Sequence, residues 1–170
     1  MMGSKITDLT PKIWTIGVYG FTASGFFNAL KTANVDLFCD VRLRRGMRGN
    51  TYSFVNSKKL QDKLAEIDIR YIHCLDLAPS QDTRDLQKQD DENEGSLKST
   101  RTFLSSRFIT AYDEQCLSNF DSNLFFNKVC GKPDNPVFFC VEREPMACHR
   151  HLIAERLAMD LKLNLEHIKP

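Results

Sequence analysis

The segment from Val137 to Arg150 contains the residue types most able to do chemistry in this chain. Its pattern predicts a buried strand, a short polar loop with a proline, and a helix that opens on Cys148, His149 and Arg150. A thiol beside an imidazole can act as an activated nucleophile, and Glu142 or His149 can serve as general base or acid. The free N–H groups of a helix start also favour anions and thiolate. We therefore expect Glu142, Cys148 and His149 to be catalytic.

The same segment also has a purely structural interpretation. The polar residues after Cys140 suit an ordinary solvated turn, and Cys140 itself lies in an apolar run, where a free cysteine usually behaves as a small buried hydrophobe. We expect Cys140 to be a core thiol. Cys148, at the helix start, should react with a soluble alkylating agent faster than Cys140 or Cys39.

A basic loop follows the second predicted strand, directly after Asp40. Its arginines and glycines are Arg42, Arg44, Arg45, Gly46, Arg48 and Gly49. Guanidinium groups match phosphate and carboxylate geometry, and glycine lets the backbone approach an anion closely. We expect Arg42, Arg45 and Arg150 to bind the substrate, with Arg48 farther out on the loop. The alternative is a solvated loop in which Asp40 simply pairs with Arg42.

A third polar group closes the third predicted strand, at Tyr71 and His73. A lone histidine at a strand end is more often structural than catalytic, and we assign Tyr71 to the substrate-binding group with the arginines. In a parallel sheet, however, Asp40 and His73 would emerge at the same carboxyl edge as Glu142, which adds both to the catalytic candidates. One cleft at that edge is predicted to be lined by Asp40, Arg42, His73, Glu142 and Cys148.

The elements that would position these residues alternate between strand and helix. Strands are predicted at 13–19, 35–41, 69–72, from 137 onward, and at 165–168. Helices are predicted after Thr22 and Ser57, each acting as an N-cap, and after Cys148. This order favours a single-domain α/β fold, with a mostly parallel sheet and helices on both faces in a Rossmann-like three-layer arrangement.

The domain boundaries follow from composition. Residues 1–11 are expected to form a flexible lead-in, and residues 12–170 a single α/β domain. The stretch 76–100 is polar and charged, so we predict an excursion that buries little surface, either a mobile lid or a disordered insertion. A helical pattern resumes over 101–128, with a break near 119–121.

Composition limits the function classes. The net charge of +1 is unlike that of a strongly basic nucleic-acid module, although it allows a local basic patch. The six cysteines show no CxxC pair and accompany no signal peptide or transmembrane run, which indicates reduced thiols in a cytoplasmic protein without a membrane partner. The phosphate-binding GxxxxGK[ST] and the strand-linked GxGxxG fingerprints do not occur, and no cofactor is expected.

The ordered motifs resemble those of the domain-of-unknown-function 488 family, from about residue 13 to 168. They are Thr15-Ile16-Gly17, Asp40-Val41-Arg42, Tyr71-Ile72-His73, Cys140-Val141-Glu142 and Cys148-His149-Arg150. The resemblance implies an α/β fold and a shared polar pocket, and it supplies no reaction. Many members carry a His-Ser pair after the first Thr-Ile-Gly, where this chain has Val18 and Tyr19.

Three functions compete on these residues. The first is an enzyme acting on an anionic, phosphate-bearing substrate such as a nucleotide or nucleic-acid end. The second is a non-catalytic binding module for nucleic acid or a small anion, which strong salt dependence without turnover would favour. The third is a metal site built from His73, Glu142, Cys148 and His149. We expect no metal, because adjacent Cys148 and His149 would point apart on a helix and no HxxxH spacing occurs.

Overall fold

A computed structural model describes residues 10–170, so most of the predicted lead-in at 1–11 lies outside the described residues. Five strands form one sheet, in which all pairings are parallel and the order is β3-β2-β4-β1-β5. The strands are β1 (Lys12–Gly17), β2 (Leu37–Asp40), β3 (Arg70–His73), β4 (Pro136–Cys140) and β5 (Asn164–Ile168). The predicted parallel α/β sheet is therefore confirmed.

Six α-helices accompany the sheet in residues 10–170. They are α1 (Ala23–Thr32), α2 (Ser57–Glu66), α3 (Gln81–Glu94), α4 (Ser106–Tyr112), α5 (Ser122–Leu124) and α6 (His149–Leu161). Short 3-10 turns lie at Ser53–Val55, Leu75–Leu77 and Pro145–Ala147, and π-helical turns extend α4 and α5 over Asp113–Leu117 and Phe125–Val129. In this part of the chain no helix is long and apolar enough to cross a membrane.

The helices lie on both faces of the sheet. Every residue of β4 is buried, and successive side chains of a strand point to opposite faces. The ring of Phe139 packs against Phe26 of α1, with 5.7 Å between ring centroids. The ring of Phe138, on the other face, lies 6.3 Å from Phe125 next to α5. Since α5 contacts α6, the structure has the predicted three layers.

Of the two predicted N-cap residues, the structure confirms Thr22 and does not confirm Ser57. Thr22 caps α1 as expected, because its Oγ1 accepts a hydrogen bond from the Gly25 N–H at 3.1 Å. Ser57 is not the cap of α2; that position belongs to Asn56. The Asn56 side chain makes no capping bond, because its Oδ1 accepts the Met47 N–H at 2.5 Å and so ties the basic loop to the start of α2.

The polar stretch 76–100 is a helix over most of its length. Ser80 caps α3 by accepting the Thr83 N–H at 3.2 Å, and Gly95 ends it with φ of +66°. Few large apolar residues occur in this stretch, so a helix here produces no apolar stripe that could be recognised in the sequence. The buried residues of α3 are Thr83 and Gln87. The helical stretch expected from 101 begins at α4, and its predicted break near 119–121 is confirmed.

Candidate functional site

The cleft of the molecule lies where the sheet topology changes direction. From β2 the chain continues to β3 on one side, whereas from β4 it runs through α6 to β5 on the other, and β2 and β4 are neighbours. Open α/β sheets place ligands in the crevice at the carboxyl ends of two such strands. A cleft of about 540 Å³ is found there, with the residues after β2 and β4 on one side and α3 on the other.

The structure brings four of the predicted site residues into this cleft, namely Arg42, Glu142, Cys148 and His149. Other predicted residues lie behind the wall of the cleft or away from it and do not line it. They are Asp40, Arg45, Tyr71, His73 and Arg150. Asp40 pairs in register with His73 on β3 and with Phe139 on β4, so the expectation that these strand ends share one edge of the sheet is correct.

A buried ion pair joins Asp40 to Arg42 at the end of β2. Arg42 donates from Nε to Oδ1 at 2.9 Å and from Nη2 to Oδ2 at 2.8 Å, and Nη2 also donates to the Val55 carbonyl. The Arg42 guanidinium lies 4.7 Å from the centre of the Phe139 ring. Both charged residues are buried, at 0% and 3% exposure, so the pairing considered as the structural alternative is present.

Tyr71 and His73 complete this network from β3. The Tyr71 hydroxyl donates to Asp40 Oδ2 at 2.9 Å and accepts from Arg45 Nη1 at 3.3 Å. Burial, together with the Asp40 carboxylate, raises the pKa of Tyr71 to about 12, so it remains a hydroxyl at neutral pH. His73 Nε2 donates to the Arg42 carbonyl at 2.9 Å. These contacts hold the basic loop in place and leave Asp40 with no free oxygen toward the cleft.

Arg150 has a different place from the one expected. It is fully buried, and it donates from Nη1 to the Glu142 carbonyl at 2.7 Å and from Nη2 to the Arg143 carbonyl at 3.2 Å. The guanidinium therefore secures the backbone of the loop between β4 and α6. We correct its assignment from substrate binding to the support of this loop.

Gly17, the last residue of β1, is required by the same loop. A Cβ atom on Gly17 would lie 1.8 Å from the Glu142 carbonyl oxygen, which no side chain can tolerate. The next two N–H groups, of Val18 and Tyr19, both donate to the Val141 carbonyl, at 3.2 and 3.1 Å. The end of β1 thus fixes the backbone on which the Glu142 side chain stands.

Cys148 and His149 do not point apart, contrary to expectation. Cys148 precedes α6 in an extended conformation, with φ of −144° and ψ of 140°, so the angular spacing of a helix does not separate the two side chains. His149 Nε2 lies 2.8 Å from the Val41 carbonyl and must donate to it, because a carbonyl only accepts. In the neutral ring, Nδ1 then carries the lone pair, and it lies 3.7 Å from Cys148 Sγ.

Cys140 joins this pair. Its Sγ, Cys148 Sγ and His149 Nδ1 all lie within 4.8 Å of one another, and all three residues are buried and line the cleft. The neighbouring Cys148 thiol, together with burial, raises the pKa of Cys140, so it is a neutral thiol at pH 7. Cys140 is buried as expected, yet it belongs to the floor of the cleft as well as to the core.

Glu142 is a buried carboxylate beside this group. Arg101 Nη2 lies 3.1 Å and Lys98 Nζ 3.6 Å from Glu142 Oε1. Burial by itself raises the pKa of Glu142, but the two cations beside it lower the pKa to about 2. Glu142 is therefore ionised at neutral pH and has no proton to donate. Its Oε2 has no hydrogen-bond partner among residues 10–170.

Sequence reasoning did not identify Lys98, Arg101 or the cleft-facing side of α3. Gln81, Arg84, Asp85, Lys88 and Glu92 recur at helical spacing and line the cleft. Arg101 also pairs with Asp91 of α3 at 2.8 Å. The only available signal was this polar periodicity, which a search for apolar stripes does not detect.

Positive charge exceeds negative charge along the cleft. Its acidic residues are Asp85, Asp91, Glu92 and Glu142, and its basic residues are Arg42, Arg44, Arg48, Arg84, Lys88, Lys98 and Arg101. Arg48 is exposed and lies farther out than buried Arg42, as expected, but it still lines the rim of the cleft. The basic loop and α3 therefore contribute cations from two sides.

Comparison with known proteins identifies the family without a reaction. Searches of curated proteins and of solved structures gave no match to the chain. A family model described as domain of unknown function DUF488 matches residues 22–157, which include α1, the basic loop, the cleft floor and most of α6. Four of the five motifs noted in the sequence lie within this range, Thr15-Ile16-Gly17 precedes it, and the chain belongs to the DUF488 family.

Proposed function

We propose that the protein is an enzyme that acts on an anionic, phosphate-bearing substrate, such as a nucleotide or a nucleic-acid end, in the cleft between the sheet edge and α3. The observation that carries the proposal is a pair of unsatisfied guanidinium atoms. Arg42 Nη1 and Arg84 Nη1 are both buried, and neither has a hydrogen-bond partner within residues 10–170. Both residues line the cleft. A buried charged donor without an acceptor is costly, and a phosphate oxygen would satisfy it.

The two arginines are held in ways that suit this purpose. Asp40 and the Val55 carbonyl fix the Arg42 guanidinium through its other nitrogens, which preorganises Nη1. Arg84 lies on α3, which Arg101 and Asp91 tie to the cleft floor. The excess of cations along the cleft favours an anion over a neutral ligand.

The reactive centre of the proposed enzyme is the group on the cleft floor. Cys148 and His149 offer a thiol and an imidazole lone pair at 3.7 Å, in a place that an anion bound by Arg42 and Arg84 would cover. Glu142, with a pKa of about 2, is too weak a base to take a proton at neutral pH. Its carboxylate instead orients Lys98 and Arg101 beside the reacting atoms.

Substitution of Arg84 tests anion binding with little risk to the fold, because α3 lies largely on the surface. We expect Arg84→Gln to weaken binding of a nucleotide or a short single-stranded oligonucleotide about ten- to a hundredfold, which is the loss of one charge-assisted hydrogen bond of roughly 1.5–3 kcal/mol. Arg107→Gln is the matched control, since Arg107 pairs with Asp90 away from the cleft. Calorimetry at fixed salt measures both, and turnover is followed by chromatography of the ligand.

The proposal would be contradicted if Arg84→Gln and Arg107→Gln bound the nucleotide or oligonucleotide with equal affinity. It would also be contradicted if the parent protein bound no phosphate-bearing probe. A non-catalytic binding module remains the second candidate, favoured by exposed Arg44 and Arg48 at the rim of the cleft. Binding that weakens steeply with salt, without chemical change of any bound ligand, would decide for that module.

A further inference from the structure

The cleft floor contains three ligand-type atoms without an assigned cofactor. The sulfur atoms of Cys140 and Cys148 and the Nδ1 atom of His149 lie within 4.8 Å of one another. Zinc binds thiolate at about 2.3 Å and imidazole at about 2.0–2.1 Å, so ligand atoms around a tetrahedral ion lie roughly 3.5–4 Å apart. The Cys148–His149 separation of 3.7 Å already falls in this range. Small side-chain rotations would bring the third atom into it.

The surroundings of His149 match those of a metal ligand. Metal-bound histidines commonly donate their other ring N–H to a carbonyl or carboxylate, which fixes the tautomer and aims the lone pair. Here Nε2 donates to the Val41 carbonyl at 2.8 Å and leaves the Nδ1 lone pair toward the two sulfur atoms. The hydrogen bond to the Val41 carbonyl, directly after β2, therefore fixes the orientation of the His149 ring.

A second, independent observation is the orphaned oxygen of Glu142. The residue is 5% exposed and lines the cleft with the three candidate ligands, yet its Oε2 has no partner in the described part of the chain. Catalytic zinc sites combine three protein ligands with a water or substrate in the fourth position. A water in that position, on the cleft side, would supply the hydrogen bond that Glu142 Oε2 lacks.

Electrostatics permits a divalent cation here despite the positive cleft. Two thiolates neutralise a divalent ion, whereas Lys98 and Arg101 are already balanced by Glu142 and Asp91. A thiolate-rich site with one imidazole favours zinc over calcium or magnesium, which prefer oxygen ligands.

We propose that Cys140, Cys148 and His149 form a zinc-binding site whose fourth position opens onto the cleft beside Glu142. Binding converts two thiols to thiolates, forms two Zn–S bonds and one Zn–N bond, and releases two protons to solvent. The site stands on its own geometry and does not depend on the phosphate specificity proposed above. If both proposals hold, the ion and its water are placed where the substrate anion would meet them, and Cys148 is a ligand and not a nucleophile.

Zinc titration of reduced, metal-free protein against a chelating dye is the test. We expect one zinc ion per chain, with affinity falling at least a hundredfold in Cys148→Ser and staying within about twofold of the parent in Cys130→Ser, a matched buried thiol outside the cluster. Cobalt substitution in the parent provides a check that needs no variant: thiolate-to-cobalt charge-transfer absorption should appear at one equivalent, with two protons released per bound zinc.

Zinc binding to the parent no tighter than to Cys148→Ser would overturn the site, as would a cobalt spectrum without thiolate bands. A Cys140–Cys148 disulfide in freshly isolated protein would assign the pair to redox chemistry instead. The Arg84→Gln variant separates this inference from the proposed function, because it should lose anion affinity and retain zinc.

Discussion

The carboxyl edge of the sheet carries two polar clusters that look alike in sequence and differ in how their polar atoms are satisfied. At the ends of β2 and β3, Asp40 accepts from Arg42 and Tyr71, and His73 donates to the Arg42 carbonyl. Among the described side chains of this cluster, Nη1 of Arg42 is the buried atom left unsatisfied. At the end of β4 and the start of α6, Glu142 Oε2 and Arg150 Nε are unsatisfied, and of these two residues only Glu142 lines the cleft. Two thiols and an imidazole lone pair also face the cleft there.

This difference separates residues that stabilise the fold from residues that can bind a ligand or react with it. A charged residue whose hydrogen bonds are all made within the protein has no capacity left for a ligand, whatever its type, and its removal is felt in stability. A buried group that keeps an open lone pair or donor in a cleft has that capacity, and its removal is felt in binding or turnover. Asp40 and Cys148 are the clearest representatives of the two clusters.

The largest expected effect is on stability, at Asp40. Asp40→Asn leaves the buried Arg42 guanidinium without its charge partner, and breaking a buried pair in this way costs about 3–5 kcal/mol. Chemical denaturation measures this loss, and the exposed pair Lys58–Asp62 gives the control, since Asp62→Asn should change the free energy of unfolding by about 0.5 kcal/mol or less. A loss at Asp40 no larger than that at Asp62 would break the distinction between the clusters.

A smaller loss of stability is expected at Arg150. Arg150→Lys keeps the charge but cannot reach both the Glu142 and Arg143 carbonyls, so we expect a cost of roughly 1.5–3 kcal/mol. Once the variant is folded, its affinity for a phosphate-bearing probe should match that of the parent. Loss of anion affinity without loss of stability would instead place Arg150 in the binding site.

The smallest effect on stability is expected at Cys148. A serine at this buried position keeps a hydroxyl beside His149 Nδ1, so Cys148→Ser should change the unfolding free energy of the metal-free protein by about 1 kcal/mol or less. Turnover and zinc binding should nevertheless be lost. Thermal unfolding of metal-free samples provides the comparison, and a loss as large as that of Asp40→Asn would make Cys148 a structural thiol.

The sequence predicts the sheet and the position of the cleft well, because both follow from local patterns. Apolar runs followed by Asp40, His73 and Glu142 mark strand ends, and parallel pairing brings those ends to one edge. Which side chains form hydrogen bonds with each other depends on how far they extend across the sheet, and the sequence does not show this. No local pattern tells that Arg150 turns back to the backbone before α6 or that Tyr71 bonds to Asp40.

Two further features could not be predicted from the sequence, each for a specific physical reason. Lys98 and Arg101 approach Glu142 because α3 folds back over the sheet edge, which the polar sequence of that stretch does not predict. The expectation that Cys148 and His149 diverge assumed a helix through both residues, whereas α6 begins at His149. A difference of one residue in the helix start therefore decides whether a metal site is geometrically available.

A crystal structure of the protein with pyrophosphate is the most direct test of the account that the cleft is the functional site. The account predicts an ordered anion between the basic loop and α3, within hydrogen-bond distance of Nη1 of Arg42 and Nη1 of Arg84. An anion bound elsewhere, with both of these atoms still unsatisfied, would contradict it.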